Sequence, residues 1–383
     1  MITEIAAPLK NRFLSLDVFR GITISFMIIV NSKGTGAIPY APLLHASWHG
    51  FTPTDLVFPS FLFAVGNSMG FSMKKTAILA DSIYFSRVLK RSLIIFLLGY
   101  LMYWFPFFKY NEAGEMISFP ISQTRILGVL QRIAICYFAA SFLLRYFTFK
   151  QNLLISLFLL AGYWLLLILF GKNADVFGME SNFGSLIDRF LLGEQHMYHK
   201  NGLVFEPEGL LSTVPAIVNV IAGYYAGLFI QKKGILYEGI AKLQLAGALL
   251  ILLALCINPF MPVNKKLWTS SFVLLTVGLD LCIMAVLLFC LEIKKWNRGN
   301  WTRFFVIFGK NPLFIYLLSE VAFISFKNIH TAPGQNLLEW INTSIFQVIA
   351  PGPAGSLLFA ISFMLFCWSV AWLLDRKKIY IKV

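Results

Sequence analysis

Residues 31–66, NSKGTGAIPYAPLLHASWHGFTPTDLVFPSFLFAVG, gather two histidines, a tryptophan, an aspartate and several Gly and Pro residues between two strongly apolar segments. Nothing about crossing a bilayer requires that mixture. Irregular backbone beside hydrocarbon is tolerated where it lines a cavity, and polar side chains there mark sites of chemistry. His45 is of the type that moves protons near neutral pH, since a free imidazole titrates at about 6.5. It is expected at the centre of an active site, as a general base or as a nucleophile that relays an acyl group. The bland alternative is an interfacial histidine that caps a helix or bonds a loop carbonyl. Asn31 closes the preceding apolar segment. Its amide can donate to an oxygen on which negative charge develops, or simply satisfy loose backbone at a helix end. Asp55 follows Thr52-Pro53-Thr54 and can orient a histidine, bind an ammonium or stabilise a helix N-terminus. His45 and His49 would share one face of a helix, but a zinc site needs a third ligand and no HExxH pattern is present. No metal is expected; His49 and Trp48 are secondary candidates.

The elements that must hold these residues are membrane helices. The chain of 383 residues is 58% hydrophobic and only 13% charged, with mean hydropathy +0.73, whereas soluble proteins carry about 25% charge. Apolar runs such as 152–171, which has no charge, are long enough to span hydrocarbon, which needs about 20 residues. The expected fold is an all-α polytopic bundle, a single transmembrane domain over 1–383, with about ten spans near 14–32, 54–73, 89–108, 127–147, 152–171, 212–230, 242–261, 268–291, 304–325 and 355–374. Three long outer loops, 32–53, 172–211 and 326–354, connect them. The basic links 74–91, 145–150, 232–242 and 294–303 share a side with Lys10, Arg12, Arg376, Lys377, Lys378 and Lys382. By the positive-inside bias both termini are cytoplasmic. The net charge of +14 then reflects orientation and anionic lipid, so no nucleic-acid partner is invoked. All five histidines fall in the outer loops. The five cysteines lie in or beside spans and read as packing residues.

Charges inside the spans point to a polar interior. Arg20, Asp55, Arg132, Asp280, Lys310 and Glu320 are costly in lipid unless paired or facing a wet cavity. Asp17 lies one turn from Arg20 and can pair with it, whereas Asp280 has no neighbour of that kind. An ion pair of Lys310 with Asp280 or Glu320 is expected. In the second loop, GSLIDRFLLGEQHMY has helix-like apolar spacing beside charges and reads as a short interfacial helix.

RFLSLDVFRGITI, then Val30-Asn31, then LLHASWHGFTPTDLVFPSFLFAVG resemble the heparan-α-glucosaminide N-acetyltransferase family and its bacterial relatives. The likeness continues in QTRILGVLQRIAICY (123–137), DRFLLGEQH (188–196), EPEGLLSTVPAI (206–217) and GKNPLFIYLLSE (309–320), in order and over nearly the whole chain. The HASWHG…TDLVFP block is the specific part; an LDVFRG opening is shared more widely. The resemblance implies transfer of acetyl from cytosolic acetyl-CoA to an amino sugar on the far side of the membrane. It also implies His45 as the active-site histidine and Asn31 as a functional asparagine. Two features depart from the animal enzymes: a longer segment between Asn31 and His45 carrying Ser32-Lys33-Gly34-Thr35-Gly36, and His49 where they have Asn.

Asp188, His196 and Glu208 in the second outer loop suit the charge and hydroxyls of an amino sugar. Arg20, Arg132, Lys310 and Asn311 are candidates for the donor, whose phosphates buried cations could hold. The chain carries no extra outer domain, which favours a bacterial cytoplasmic-membrane enzyme, possible as a homodimer. A sugar O-acetyltransferase and a sugar transporter using Asp280 and Glu320 are the alternatives. A transporter would call for a pseudo-symmetric pair of broken helices, which the sequence does not display.

Overall fold

The computed structural model describes residues 13–76, 78–110, 115–172, 175–200, 202–233, 235–297, 299–332 and 335–381. Lys10, Arg12 and Lys382 of the basic termini, and Pro333 and Gly334 of the 326–354 loop, lie outside the described residues. The long helices are α1 (Leu14–Asn31), α2 (Pro53–Thr76), α3 (Asp81–Trp104), α4 (Val129–Tyr146), α5 (Phe149–Phe170), a shorter α6 (Phe183–Leu192), α7 (Leu210–Lys233), α8 (Tyr237–Ile257) and α9 (Ser270–Leu287). They are followed by α10 (Trp301–Lys310), α11 (Pro312–Asn328), two short turns α12 (Leu337–Ile341) and α13 (Gln347–Ile349), and α14 (Pro353–Arg376). Among the described residues, three two-stranded hairpins occupy loops. The protein is an all-α polytopic membrane protein.

Among the described residues, eight helices are long and apolar enough to cross a membrane, and nine if α10 and α11 count as one bent span. The expected span over 89–108 is present as the 24-residue α3, which is not among those eight. The expected continuous span 304–325 is broken: α10 and α11 meet at 85°. Pro312 opens α11 at its first position, and a proline ring disfavours the helical conformation of the residue before it, although Pro59 and Pro215 are accommodated inside α2 and α7. Asn311 accordingly sits at φ −128°, ψ 52°. Of the expected 184–198 helix the structure keeps the first part, within Phe183–Leu192, with Asn182 accepting a hydrogen bond from the Ser185 amide at 2.9 Å; Gly193 at φ 78° ends it before Glu194–His196.

The spans divide into central and peripheral helices. The best apolar windows of α1, α2, α7 and α9 are 61–67% buried, against 22% for α5 and 17% for α8; the last two turn rows of Leu and Phe outward, as lipid-facing helices do. Central helices approach closely where a side chain is missing. A Cβ on Gly66 of α2 would strike the Val220 carbonyl of α7, and one on Gly223 of α7 would strike the Phe63 carbonyl of α2. Small residues at such crossings replace the hydrophobic driving force that lipid removes.

Candidate active site

The site is built on the first turn of α2. Thr52 caps the helix, Pro53 fills its first position, and the Asp55 carboxylate reaches back to accept the Thr52 amide through Oδ2 at 3.0 Å. This is one half of a capping box, with Asp in the usual Glu position; the Asp55 amide donates to the Thr52 carbonyl at 2.9 Å and the Thr52 hydroxyl also donates to Asp55 Oδ2 at 3.1 Å. The same Oδ2 accepts the Ala46 amide at 3.1 Å, while Oδ1 lies 2.7 Å from Nδ1 of His45. Asp55 is 1% exposed. The helix-terminus role and the histidine-orienting role, alternatives in the sequence, are carried by one carboxylate. With Nδ1–H donated to Asp55, Nε2 is the ring nitrogen that can take a proton. Thr52 and Thr54 donate to the Leu44 and Pro42 carbonyls at 2.7 and 3.0 Å and pin the histidine loop to α2. Burial lowers the pKa of His45, helped by Lys265 and opposed by the Asp55 hydrogen bond, so the imidazole is held neutral.

Segments far along the chain close the site. The link between α8 and α9 lies against the histidine loop: Gly50 N–H donates to the Val263 carbonyl at 2.8 Å and Lys266 Nζ to the Ser47 carbonyl. Within that link the Asn264 amide donates to Thr269 Oγ1 at 3.0 Å, and Asn264 Oδ1 accepts from the Leu267 amide at 2.9 Å. Buried Trp268 takes φ +53°, a conformation a bulky residue adopts only when its surroundings enforce it. Its indole donates to Asn219 of α7 at 3.1 Å and its face carries the Arg132 guanidinium. This braced turn sets Lys265 Nζ 3.2 Å from His45 Nδ1 and 3.7 Å from Asp55 Oδ1.

His45, Lys265, Asn31, Glu208, Thr54 and Tyr316 line one cavity of about 140 Å³ with apolar residues of α1, α2 and α4. Asn31 donates to Glu320 at 3.2 Å. Glu208 and Glu206 share the single guanidinium of Arg125, which also donates to the Tyr103 hydroxyl at 3.3 Å. Burial raises the Glu208 pKa, but Arg125 and Arg132 outweigh it and hold the group ionised below the usual carboxylate range.

A second cavity, of about 340 Å³, adjoins the first. Phe61 and Ile133 belong to the lining of both. The second is lined further by Arg20, Arg91, Lys310, Tyr137, Ser68 and Ser72. On α2 the linings run from Thr54 to Ser72, about 27 Å at 1.5 Å per residue. A third cavity of about 330 Å³ shares Met69, Ser72, Arg91 and Tyr137 with the second and adds Arg87 and Lys90.

Of the residues singled out in the sequence, the structure brings His45, Asn31, Asp55 and Glu208 together at one end, and Arg20 and Lys310 at the other. The remainder go elsewhere. His49 faces the Asn264 amide at 3.3 Å; the histidine segment is loop, so the two rings do not share a helix face. Trp48 donates to the Phe177 carbonyl at 2.9 Å and packs on Phe205, anchoring the 172–211 loop. His196 bonds the Thr124 carbonyl at 2.8 Å. Asp188 is buried and accepts the Leu210 amide at the start of α7 at 2.9 Å; burial pushes its pKa up to about 7. Arg132 lies near the wrong end of α4 for the basic cavity. It clamps the turn before α7, donating to the Pro207 carbonyl at 3.1 Å, to Gly209 and to Ser212. Lys310 pairs with Asp375 of α14, not with Asp280 or Glu320. Asp280 instead receives the Ser60 hydroxyl at 2.5 Å. Asn311 holds the tail, donating to the Ile379 carbonyl at 3.0 Å and accepting from the Ile381 amide at 2.8 Å. Arg20 donates to the Gly309 carbonyl at 3.1 Å and lies 3.7 Å from Asp17.

Sequence reasoning missed Lys265, Arg125, Tyr316 and Arg91. A lysine pair in a short link on the histidine side, against the bias that gathers basic links on the other, was the signal for Lys265.

The profile described as "Heparan-alpha-glucosaminide N-acetyltransferase, catalytic" matches residues 12–181. The human heparan-alpha-glucosaminide N-acetyltransferase is 29% identical over 374 residues, covering 82% of this chain and 54% of the human protein. The mouse protein of the same name is 28% identical over 370 residues, covering 81% and 54%. Over most of its length the chain is similar to heparan-alpha-glucosaminide N-acetyltransferases. It spans about half the length of these relatives. The segment matched to the family profile contains Arg20, Asn31, His45, Asp55 and Arg125. Glu208, Lys265, Tyr316 and Lys310 complete the two cavities from beyond it.

Proposed function

We propose that this protein is a membrane acetyltransferase that moves an acetyl group from cytosolic acetyl-CoA to the amine of a glucosamine-type sugar on the outer side. The observation that carries the reading is the pair of adjoining cavities. An oriented His45–Asp55 pair faces one of them, and Arg20, Arg91 and Lys310 line the other. Acetyl-CoA enters at the basic end, where Arg20, Arg87, Lys90, Arg91 and Lys310 meet its phosphates. Its thioester arm passes Phe61 and Ile133 to reach Asn31 and His45. The sugar enters from the histidine side, its ammonium attracted by Glu208. The basic links put the termini and the donor mouth in the cytoplasm, and a bacterial cytoplasmic membrane is the setting that fits.

In the direct route the amine attacks the thioester carbonyl carbon while Asn31 Nδ2 donates to the oxygen that gains charge. His45 Nε2 takes a proton from the nitrogen of the adduct. The C–S bond breaks and His45 returns that proton to the thiolate, so CoA leaves as the thiol. In the relay route Nε2 attacks first, CoA leaves, and the acetyl-imidazole passes its acetyl to the amine. Both routes need Nδ1 fixed by Asp55.

The test is transfer from labelled acetyl-CoA by the purified protein in detergent, beside His45→Ala. Glucosamine and N-acetylglucosamine run in parallel separate amine from hydroxyl acceptors. Labelled glucosamine product from wild type and none from a folded His45→Ala variant is expected. No transfer to either sugar, together with no binding of acetyl-CoA, overturns the reading.

A further inference from the structure

Acetylating an amine sets a proton problem that His45 alone does not solve. An amine on a sugar ring titrates near an α-amino group, at about 7.7–8.0, so the acceptor arrives as an ammonium. It must lose one proton before its lone pair can attack and a second from the adduct. One of the two returns to the departing thiolate; the other has to leave the site.

Lys265 stands where that first proton would go. It lines the same cavity as His45, Asn31 and Glu208, and its side chain is only 19% exposed. Its Nζ is 3.2 Å from His45 Nδ1, whose own proton is already donated to Asp55 at 2.7 Å. An ammonium there sets donor against donor, and a neutral amine, which offers a lone pair, relieves the conflict. The charged and titratable groups that face Lys265 or share its cavity are Asp55 of α2, His45 and Lys33 of the loop before α2, Glu208 before α7 and Tyr316 of α11. Burial dominates, Asp55 and Glu208 oppose it, Lys33 adds to it, and the lysine is brought down to about 8. Two amines of similar basicity exchange a proton at little cost in either direction.

We propose that Lys265 is a second catalytic base, whose neutral amine takes the first proton from the acceptor ammonium while His45 handles the second. The inference rests on the acetyltransferase reading. The step balances: acceptor R–NH3+ and Lys265–NH2 become R–NH2 and Lys265–NH3+. The free amine then forms the C–N bond, the C–S bond breaks, and His45 carries the second proton to sulfur. The Lys265 ammonium discharges its proton to solvent at the outer mouth before the next turnover. Glu208 is unsuited to this part because Arg125 holds it ionised as a weak base; it serves as the counter-charge that seats the ammonium.

The experiment measures kcat/KM for glucosamine from pH 6.5 to 9.5 in wild type, Lys265→Met and Lys265→Arg, with thermal midpoint and acetyl-CoA binding as controls on folding. Below about pH 8 the acceptor is seated as an ammonium that the variant has no amine to deprotonate; wild type slows there too as Lys265 takes up its own proton, so the ratio of variant to wild type at each pH is what is read. Lys265→Met is therefore expected about tenfold or more below wild type at pH 6.5 and within about twofold at pH 9.5. Lys265→Arg is expected to be as impaired at pH 6.5, since guanidinium keeps its proton, and to recover likewise at pH 9.5. If Lys265→Met fails to fold, Lys265→Arg carries the test alone. A deficit of the same size at every pH, or restoration of the pH 6.5 rate by arginine, overturns the assignment and leaves Lys265 as a charge that positions Asp55. A wild type that acetylates no amine sinks the acetyltransferase reading itself. An active wild type with a pH-independent variant ratio sinks only the role of Lys265.

Discussion

At the residue scale, Asp55 does two things with one carboxylate. Oδ2 satisfies the Thr52 and Ala46 amides and Oδ1 fixes the tautomer of His45. Replacing it by asparagine separates them. Asparagine has one acceptor oxygen; if that oxygen keeps the two backbone donors, the side-chain NH2 faces His45 Nδ1 and forces the proton onto Nε2. Asp55→Asn is expected to lower kcat by about 10²-fold or more and to leave KM for acetyl-CoA near wild type. Loss of helix-terminal charge is worth only about 0.3–1 kcal/mol, so the thermal midpoint should move little. Steady-state kinetics beside a melting curve decide it; an unchanged kcat would show that the His45–Asp55 contact is only structural. The neighbouring Glu206–Arg125–Glu208 group obeys a similar economy. One guanidinium serves two acids, so neither carboxylate is left unpaired.

At the scale of elements, the site depends on how near α2 and α7 come to one another. α2 carries Asp55 and lines both cavities, and the chain segment just before α7 carries Glu206 and Glu208. Gly66 and Gly223 permit backbone-to-backbone contact between them, and a Cβ at either has no room. Gly66→Leu is expected to separate the helices, lowering the thermal midpoint by several degrees and reducing acetyl transfer, as core overpacking of about 1–3 kcal/mol does. Detergent-solubilised yield and melting temperature read this directly; a variant with wild-type stability would mean that the crossing is looser than its geometry. The break between α10 and α11 is a second such device. It frees Asn311 to hold the tail at Ile379 and Ile381, and Ile381 contributes to the lining of the basic cavity.

At the scale of the whole molecule, what matters is that two cavities of different character meet at Phe61 and Ile133. Arginine and lysine gather at one end, and histidine with carboxylates at the other. A thioester arm from one end has to pass between these two side chains to meet an amine from the other. Phe61→Trp fills that neck. Acetyl transfer should fall about tenfold or more, since small misplacements of reacting groups cost rates of that order, while acetyl-CoA still binds from the basic side. Titration of acetyl-CoA binding beside the transfer assay separates the two effects. Transfer at the wild-type rate in Phe61→Trp would mean that donor and acceptor meet by another path. Asp280, which a transport reading would use as a coupling group, is occupied by Ser60 and belongs to neither cavity lining.

Composition and hydropathy by themselves determined a polytopic helical membrane protein, because burying some twenty apolar residues at a time has no other outlet. The local order of residues determined the cap at Thr52-Pro53-Thr54-Asp55 and marked His45 and Asn31, since a cap and a polar cluster at a span end are short-range patterns. The break at Pro312 is equally local, but the apolar run that continues through it hides it from hydropathy. Only the tertiary structure decided which charges meet. His45 and Lys265 are 220 residues apart in sequence, and Arg125 and Glu208 are 83 apart; no periodicity relates them. Nor could hydropathy assign Arg132 to a turn before α7, or Lys310 to Asp375. A buried charge must find a partner, but helix packing selects which one, and that depends on close crossings such as Gly66 with Val220 rather than on the charges themselves.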